Sequence, residues 1–126
     1  MKRFFTLIIT TALLSSFTLF ISIDEVVNGL KNGDAAQIAK YFDNTVEITM
    51  PDKSNSYSKN QAEIILRDFF SNNGVKDFTV IHKGENAGSQ YCIGTLVTKN
   101  GSFRTTVFMK QKNDKQLLQE IRFENK

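Results

Sequence analysis

Residues 76–124 read KDFTVIHKGENAGSQYCIGTLVTKNGSFRTTVFMKQKNDKQLLQEIRFE. This stretch holds four runs in which apolar and polar residues alternate, at 77–83, 89–99, 102–112 and 117–124. A period of two is typical of strands with one buried face, and glycine or asparagine between the runs favours tight turns. The pattern predicts a four-stranded antiparallel meander, with the preceding residues covering one of its faces.

The turn residues predict how these strands pair. A two-residue turn at Asn100 and Gly101 would place Lys99 opposite Ser102 and Cys92 opposite Met109. The same register predicts the residues of the apolar face: Cys92, Gly94, Leu96, Phe103, Val107 and Met109.

The last hairpin has two candidate registers, and they differ in which side chains face inward. A two-residue turn at 113–114 would place four residues on the apolar face: Leu118, Glu120, Arg122 and Glu124. A three-residue loop at 113–115 would place Leu117, Gln119, Ile121 and Phe123 there, with Glu124 opposite Arg104. We prefer the second register because one face then stays apolar. The first would create a pocket lined by Glu120 and Arg122.

The N-terminus has the layout of an export signal. Lys2 and Arg3 precede a mostly apolar, uncharged run at residues 4–21. We therefore predict a signal peptide at residues 1–22 and a single domain at residues 23–126, exported to the periplasm or the extracellular space. An uncleaved membrane anchor is the alternative, because the run is about as long as a short membrane span.

The charge of the predicted domain is nearly balanced. Residues 1–22 contain two of the 16 basic residues and none of the 13 acidic ones, which leaves a net charge of about +1. A surface that follows a phosphate backbone needs clustered Lys and Arg, which this domain lacks. Nucleic acid is therefore not an expected partner, and a membrane is one only if the N-terminal segment is retained.

The residues upstream of the meander predict three helices and a strand. Ser22 to Glu25 have the pattern of a capping box, Gly33 ends the first helix, and Asp34 begins a second one with Gln37 at the box position. A strand at 44–50 ends at Pro51, and residues 52–58 are predicted as a loop, with a short strand at Tyr57 as an option. Ser58 caps the longest helix, which ends at Asn73 and Gly74. Five residues form the apolar stripe of that helix: Ala62, Ile65, Leu66, Phe69 and Phe70.

A resemblance rests on the order of these elements and on seven short motifs: KNGD at 31–34, YF at 41–42, YSKNQA at 57–62, FF at 69–70, HKG at 82–84, YCIG at 91–94 and SFR at 102–104. With them the chain resembles the cone-shaped α+β folds of the nuclear transport factor 2-like superfamily, and more narrowly the exported domain-of-unknown-function 4783 family. The resemblance implies a helical hairpin and one long helix packed on a strongly bent antiparallel sheet, with a cavity between them.

No residue is assigned a catalytic role, and no metal or cofactor is predicted, because one histidine and one cysteine do not supply a ligand set. Lone Cys92 is interpreted as a buried hydrophobe. His82 would lie opposite Gln90 at a strand end, on the face of Phe78 and Val80. The candidate cavity residues are His82, Tyr57, Tyr41, Phe69 and Phe103. The cluster of Phe69, Phe70, Phe103 and Phe123 would either fill the cone or line it.

Three functions remain open. The leading hypothesis is a non-catalytic module that binds a small ligand or a protein, with homodimerisation through the outer sheet face; its candidate interface residues are Tyr91, Ile93, Val97, Phe108 and Arg104. The second is a small-molecule isomerase or dehydratase that uses His82 in the cavity, and the third is a structural, envelope-associated role. The second requires His82 to point into an enclosed cavity beside another titratable group.

Overall fold

The computed structural model describes residues 22–126, which form three helices and six strands. The helices are α1 (residues 22–32), α2 (Ala35–Ala39) and α3 (Lys59–Asn73). Ser22 is already helical, so it does not cap α1 as predicted. The rest of the predicted signal peptide or anchor lies outside the described residues. Within the described part of the chain, no helix is long and apolar enough to cross a membrane.

One mixed sheet contains all six strands. They are β1 (Phe42–Met50), β2 (Lys53–Ser58), β3 (Val75–Asn86), β4 (Ser89–Thr98), β5 (Gly101–Lys112) and β6 (Lys115–Asn125). Their order across the sheet is β2-β1-β6-β5-β4-β3, and β1 runs parallel to β6 while the other neighbours are antiparallel. The predicted four-stranded meander is therefore confirmed as β3 to β6, and the β1–β2 hairpin extends it.

The predicted start of α2 and both predicted ends of α3 are confirmed by their caps. Asp34 Oδ1 accepts a hydrogen bond from the Gln37 amide at 3.1 Å, and Ser58 Oγ accepts one from the Gln61 amide at 3.4 Å. Gly74 has φ +68°, and its amide donates to the Phe70 carbonyl. Left-handed backbone of this kind is open to glycine at little cost, so the helix ends there. Strand β1 begins at Phe42, two residues before its predicted start, and residues 53–58, predicted as a loop, form β2.

The hairpin of β4 and β5 has the predicted faces but a different register. Its loop is Lys99 and Asn100, so Thr98 lies opposite Gly101 and Cys92 opposite Val107. The Thr98 hydroxyl fixes this turn, because Oγ1 donates to the Gly101 carbonyl at 2.7 Å and accepts from the Asn100 amide at 3.1 Å. The register predicted from Asn100 and Gly101 was therefore wrong by two residues, an even shift that leaves every side chain on its face.

The hairpin of β5 and β6 combines the two registers considered above. Its turn is the two-residue one, since Lys112 lies opposite Lys115, and Leu118 faces inward opposite Met109. A β-bulge between Leu118 and Glu120 then adds one residue and reverses the alternation. Beyond it the preferred register is confirmed: Ile121 and Phe123 are buried, Glu124 lies opposite Arg104, and Glu120 and Arg122 are on the outer face.

Candidate functional site

The position predicted for His82 was wrong. Strand β3 continues to Asn86, and the turn that follows consists of Ala87 and Gly88, both with positive φ. A bulge between Val80 and His82 moves His82 to the outer face opposite Ile93, where it is exposed. His82 Nε2 lies 2.8 Å from the Tyr91 hydroxyl. The histidine thus joins the candidate interface instead of the cone.

The five candidate cavity residues do not come together. Tyr57 lies on β2 and His82 on β3, the two edges of the sheet, which five strand spacings of about 4.8 Å hold roughly 24 Å apart. Tyr41 lies between α2 and β1, and its hydroxyl donates to Glu25 of α1. Burial, together with the Glu25 carboxylate, raises the pKa of Tyr41 to about 12. Only Phe69 and Phe103 are in contact.

The four phenylalanines pack on one another between α3 and the sheet. The ring centroids of Phe69 and Phe123 are 4.5 Å apart, those of Phe69 and Phe103 are 5.2 Å apart, and those of Phe70 and Phe123 are 6.3 Å apart. Phe123 is fully buried and Phe70 nearly so. The cluster therefore occupies the space between α3 and the sheet, while Phe69 also lines a depression of about 230 Å³ at its edge.

The outer face of β3 to β5 carries the five predicted interface residues. Tyr91 lies opposite Phe108, and Ile93 lies between His82 and Thr106, with Arg104 and Val97 further along the strands. Phe108 is 38% exposed. A shallow depression of about 360 Å³ crosses this face; its lining residues are Ile81, Ile93, Thr95, Arg104, Asn125 and Lys126.

Ile81 is the residue of this face that sequence reasoning missed. It is 64% exposed, the highest value among the described large hydrophobic residues that are exposed, because it is the extra residue of the β3 bulge. Alternation from Phe78 and Val80 already places Ile81 on the outer face, but it does not predict the high exposure that accompanies the bulge. No feature of the sequence around Ile81 announces the bulge.

A glycine shapes the contact between His82 and Tyr91. Gly84 lies opposite Tyr91, and a β-carbon at Gly84 would collide with the Tyr91 ring. The missing side chain lets the ring lie against β3, with its hydroxyl beside His82. This local packing fixes one end of the outer face.

A second depression lies between α1 and the β3–β4 hairpin and has a volume of about 260 Å³. Its lining residues are Ile23, Lys83, Gly84, Glu85, Gln90 and Tyr91. Gln90 is 3% exposed, and its Oε1 has no hydrogen-bond partner. Lys83 Nζ is paired with Asp24 Oδ1 at 2.9 Å.

Two buried ionisable groups, Asp43 and Cys92, have pKa values that are shifted by their surroundings. Asp43 accepts hydrogen bonds from Lys112 and Gln119, and these hold its pKa down at about 2. Burial raises the pKa of the Cys92 thiol to about 11, so it is not an accessible thiolate at neutral pH. Among residues 22–126, no group of three or more His, Cys, Asp or Glu side chains is placed to hold a metal ion.

Comparison with known proteins identifies the family. The family model described as "Domain of unknown function (DUF4783)" matches residues 23–124. The chain belongs to the DUF4783 family. Among curated proteins, none matches at a significant level.

Solved structures agree with this DUF4783 assignment. A DUF4783 protein from Bacteroides ovatus has a TM-score of 0.79 and 31% identity, and the match covers 81% of this chain and 93% of that one. A DUF4783 protein from Bacteroides fragilis has a TM-score of 0.77 and 34% identity, with coverage of 81% and 96%.

A solved structure with little sequence identity has the same fold. An NTF2-like protein of unknown function from Cytophaga hutchinsonii has a TM-score of 0.62 at 8% identity, with coverage of 83% of this chain and 87% of that one, and it shows the fold alone. The predicted α+β fold of the nuclear transport factor 2-like class is confirmed, and so is the predicted family.

Proposed function

We propose that this DUF4783 protein is an exported, non-catalytic module that acts by binding, with the outer face of β3 to β5 as its protein interface. The observation that carries the proposal is the exposure of Ile81 and Phe108 on that face. Three large hydrophobic residues of the described chain are exposed, and these are two of them; the third is Ile64 of α3. Apolar groups gathered on one face usually mark an interface.

The half-buried side chains between them support a continuous surface. Tyr91 and Ile93 lie beside Phe108 and Ile81, and Val97 continues the face along β4. Aromatic and aliphatic residues at the centre with charged residues at the rim are typical of protein interfaces. Arg104 and Glu124, opposite each other on β5 and β6, supply charges of both signs at this rim.

A second copy of the chain is the occupant that we propose. A twofold interface brings the same surface of both copies together, so that surface must be compatible with itself. The outer face meets this requirement because its charges have both signs, which avoids repulsion between copies. A homodimer would cover Ile81 and Phe108 at once.

Export is part of the proposal and is supported by residues 1–22. Their basic start and long apolar run have the composition of a signal peptide, and the expected location is the periplasm or the extracellular space. Mass spectrometry of the protein from cell fractions tests this directly. A species that begins near residue 23 outside the cytoplasm is expected, and retention of residue 1 in a membrane fraction would replace export with anchoring.

The isomerase or dehydratase alternative finds no specific support. It required His82 in an enclosed cavity beside a second titratable group, and His82 is exposed on the outer face beside the Tyr91 hydroxyl. A general base acts best where water is excluded and its partner is fixed.

Light scattering on matched variants tests the dimer. The variant Ile81→Lys places a charge at the centre of the proposed interface, and Ile64→Lys makes the same change on α3, where Ile64 is 53% exposed. We expect the native protein and Ile64→Lys to be dimers at high micromolar concentration and Ile81→Lys to be a monomer. Equal masses of the two variants in light scattering would contradict the proposed interface. A monomeric native protein would contradict the proposed homodimer.

A further inference from the structure

The depression between α1 and the β3–β4 hairpin contains a buried polar atom without a partner. Gln90 Oε1 accepts no hydrogen bond from any residue of the described range 22–126, although Gln90 is 3% exposed. An unpaired buried carbonyl of this kind is unfavourable, and most buried polar groups have a partner. Gln90 lines a volume of about 260 Å³, and a turn of its side-chain amide toward that volume would bring the buried Oε1 to a donor from outside the chain.

The charges around Gln90 indicate what kind of donor fits. Glu85 lies directly opposite Gln90 in the β3–β4 ladder, and side chains of such a pair lie on one face with β-carbons about 5 Å apart. The one basic residue that lines the depression, Lys83, is already paired with Asp24. A carboxylate and a carbonyl oxygen are thus the acceptors left for a ligand, and both favour a cationic donor.

The remaining lining residues suit a small apolar group. Ile23 of α1 contributes a buried aliphatic side chain, Gly84 leaves space on β3, and Tyr91 lies at the rim. Sites for small molecules commonly combine apolar walls with a few polar groups that set the orientation. A short alkyl chain that ends in an ammonium group matches both parts of this lining.

We propose that this depression is a binding site for a small primary amine. The ammonium group donates hydrogen bonds to Gln90 Oε1 and to the Glu85 carboxylate, and the alkyl part contacts Ile23. The Asp24–Lys83 ion pair joins α1 to β3 at this site and keeps the Lys83 ammonium group from competing for the acceptors. The site shares Tyr91 with the outer face, but its two acceptors, Gln90 and Glu85, form a cross-strand pair on the opposite face of the sheet, so binding does not require dimerisation.

Three probes of similar size and different end group test the proposal: 3-methylbutylamine, 3-methylbutan-1-ol and 4-methylpentanoate. Titration of the exported protein, followed by backbone amide shifts, is expected to show the amine binding at least about tenfold more tightly than the alcohol. The carboxylate is expected not to bind. The shifts should lie at residues 83–90 and at Ile23.

Variants separate this site from a general attraction for cations. Gln90→Leu removes the orphan oxygen at similar volume and should weaken amine binding about tenfold or more without lowering the melting temperature. Glu85→Gln should weaken binding of the amine and leave that of the alcohol unchanged. Gln116→Leu is the comparison variant, because Gln116 is also buried, its Oε1 has no partner among the described residues, and it does not line the depression; this variant also removes the hydrogen bond from Gln116 Nε2 to the Gly88 carbonyl.

Several results would overturn the proposal. Absence of amine binding at millimolar concentration would mean that water alone satisfies Gln90. Equal binding of all three probes, or tighter binding of the carboxylate, would exclude an ammonium site. Loss of binding in Gln116→Leu together with full binding in Gln90→Leu would place the site elsewhere. Dimer formation is measured on the same samples, so that a failure of the amine-site proposal can be distinguished from a failure of the dimer proposal.

Discussion

Asp43 and Lys112 form an ion pair of 2.6 Å that connects the start of β1 with the end of β5, across the intervening strand β6. The Asp43 side chain is 8% exposed, whereas that of Lys112 is 51% exposed. Gln119, the extra residue of the β6 bulge, donates to the same carboxylate oxygen as Lys112, with its Nε2 2.6 Å from Asp43 Oδ2. The bulge thus places a donor where a buried carboxylate needs one.

Replacing the carboxylate of Asp43 should destabilise the fold. Asp43→Ala leaves the Gln119 amide without its acceptor in a buried place and releases Lys112, so we expect a loss of about 2 to 3 kcal/mol in unfolding free energy. Lys112→Ala removes only the exposed partner and should cost less than about 1 kcal/mol. Urea unfolding of the two variants measures both values. Equal losses would contradict a role for the Gln119 contact.

The same carboxylate should make stability depend on pH in the acid range. Its pKa in the folded protein is about 2, chiefly because of the Lys112 hydrogen bond, against an ordinary value of 3.8. A lowered folded pKa means that this stabilisation is complete above about pH 5 and is lost as the pH falls toward 2. We expect a contribution on the order of 1 to 2 kcal/mol, discounted for the exposed lysine. Between pH 7 and pH 2, the free energy of unfolding should fall less in Asp43→Asn than in the native protein, as measured by unfolding curves at each pH.

Two glycines of the β3–β4 ladder should respond differently to alanine. A β-carbon at Gly94 would lie 2.5 Å from the Thr79 carbonyl oxygen and would also collide with the buried Phe78 ring, so neither neighbour has room to move. At Gly84 the collision is with the Tyr91 ring, which can turn outward at the expense of the contact with His82. We expect Gly94→Ala to cost about 2 to 3 kcal/mol and Gly84→Ala clearly less. Thermal unfolding that ranks them in the opposite order would contradict the rigid packing at Gly94.

Phe123 and Phe108 provide a matched comparison between core and outer face. Phe123 is fully buried against Phe69 and Phe70, and Phe123→Ala should cost about 3 to 5 kcal/mol. Phe108 is 38% exposed, and Phe108→Ala should change the stability of the monomer by less than about 1 kcal/mol while weakening self-association. Chemical unfolding gives the first quantity and a dilution series the second. A large stability loss in Phe108→Ala would contradict the assignment of Phe108 to a surface.

Much of the fold was predictable from sequence patterns that give the correct faces even when the strand register is misplaced by two residues. The β4–β5 register was misplaced by two residues, yet all faces were right, because a side-chain period of two is unaffected by an even shift. The caps at Asp34, Ser58 and Gly74 were predictable because they depend on local chemistry.

The features that escaped prediction are those that depend on packing between distant segments. The bulges at Ile81 and Gln119 reverse the alternation within single strands, and a bulge of this kind bends its strand locally. His82 moved to the outer face for this reason, and Ile81 became exposed. The environment of Asp43 depends on residues about 70 positions away in sequence, a distance at which no local pattern carries information.

The central claim is that the outer face of β3 to β5 is the working surface, and a dilution series followed by amide chemical shifts tests it most directly. The measurement uses the protein purified without refolding, from high to low micromolar concentration. We expect the amide chemical shifts of Ile81, Ile93 and Phe108 to change on dilution and that of Ile64 to stay constant. Constant shifts throughout, or changes centred on α3 and β2, would contradict it.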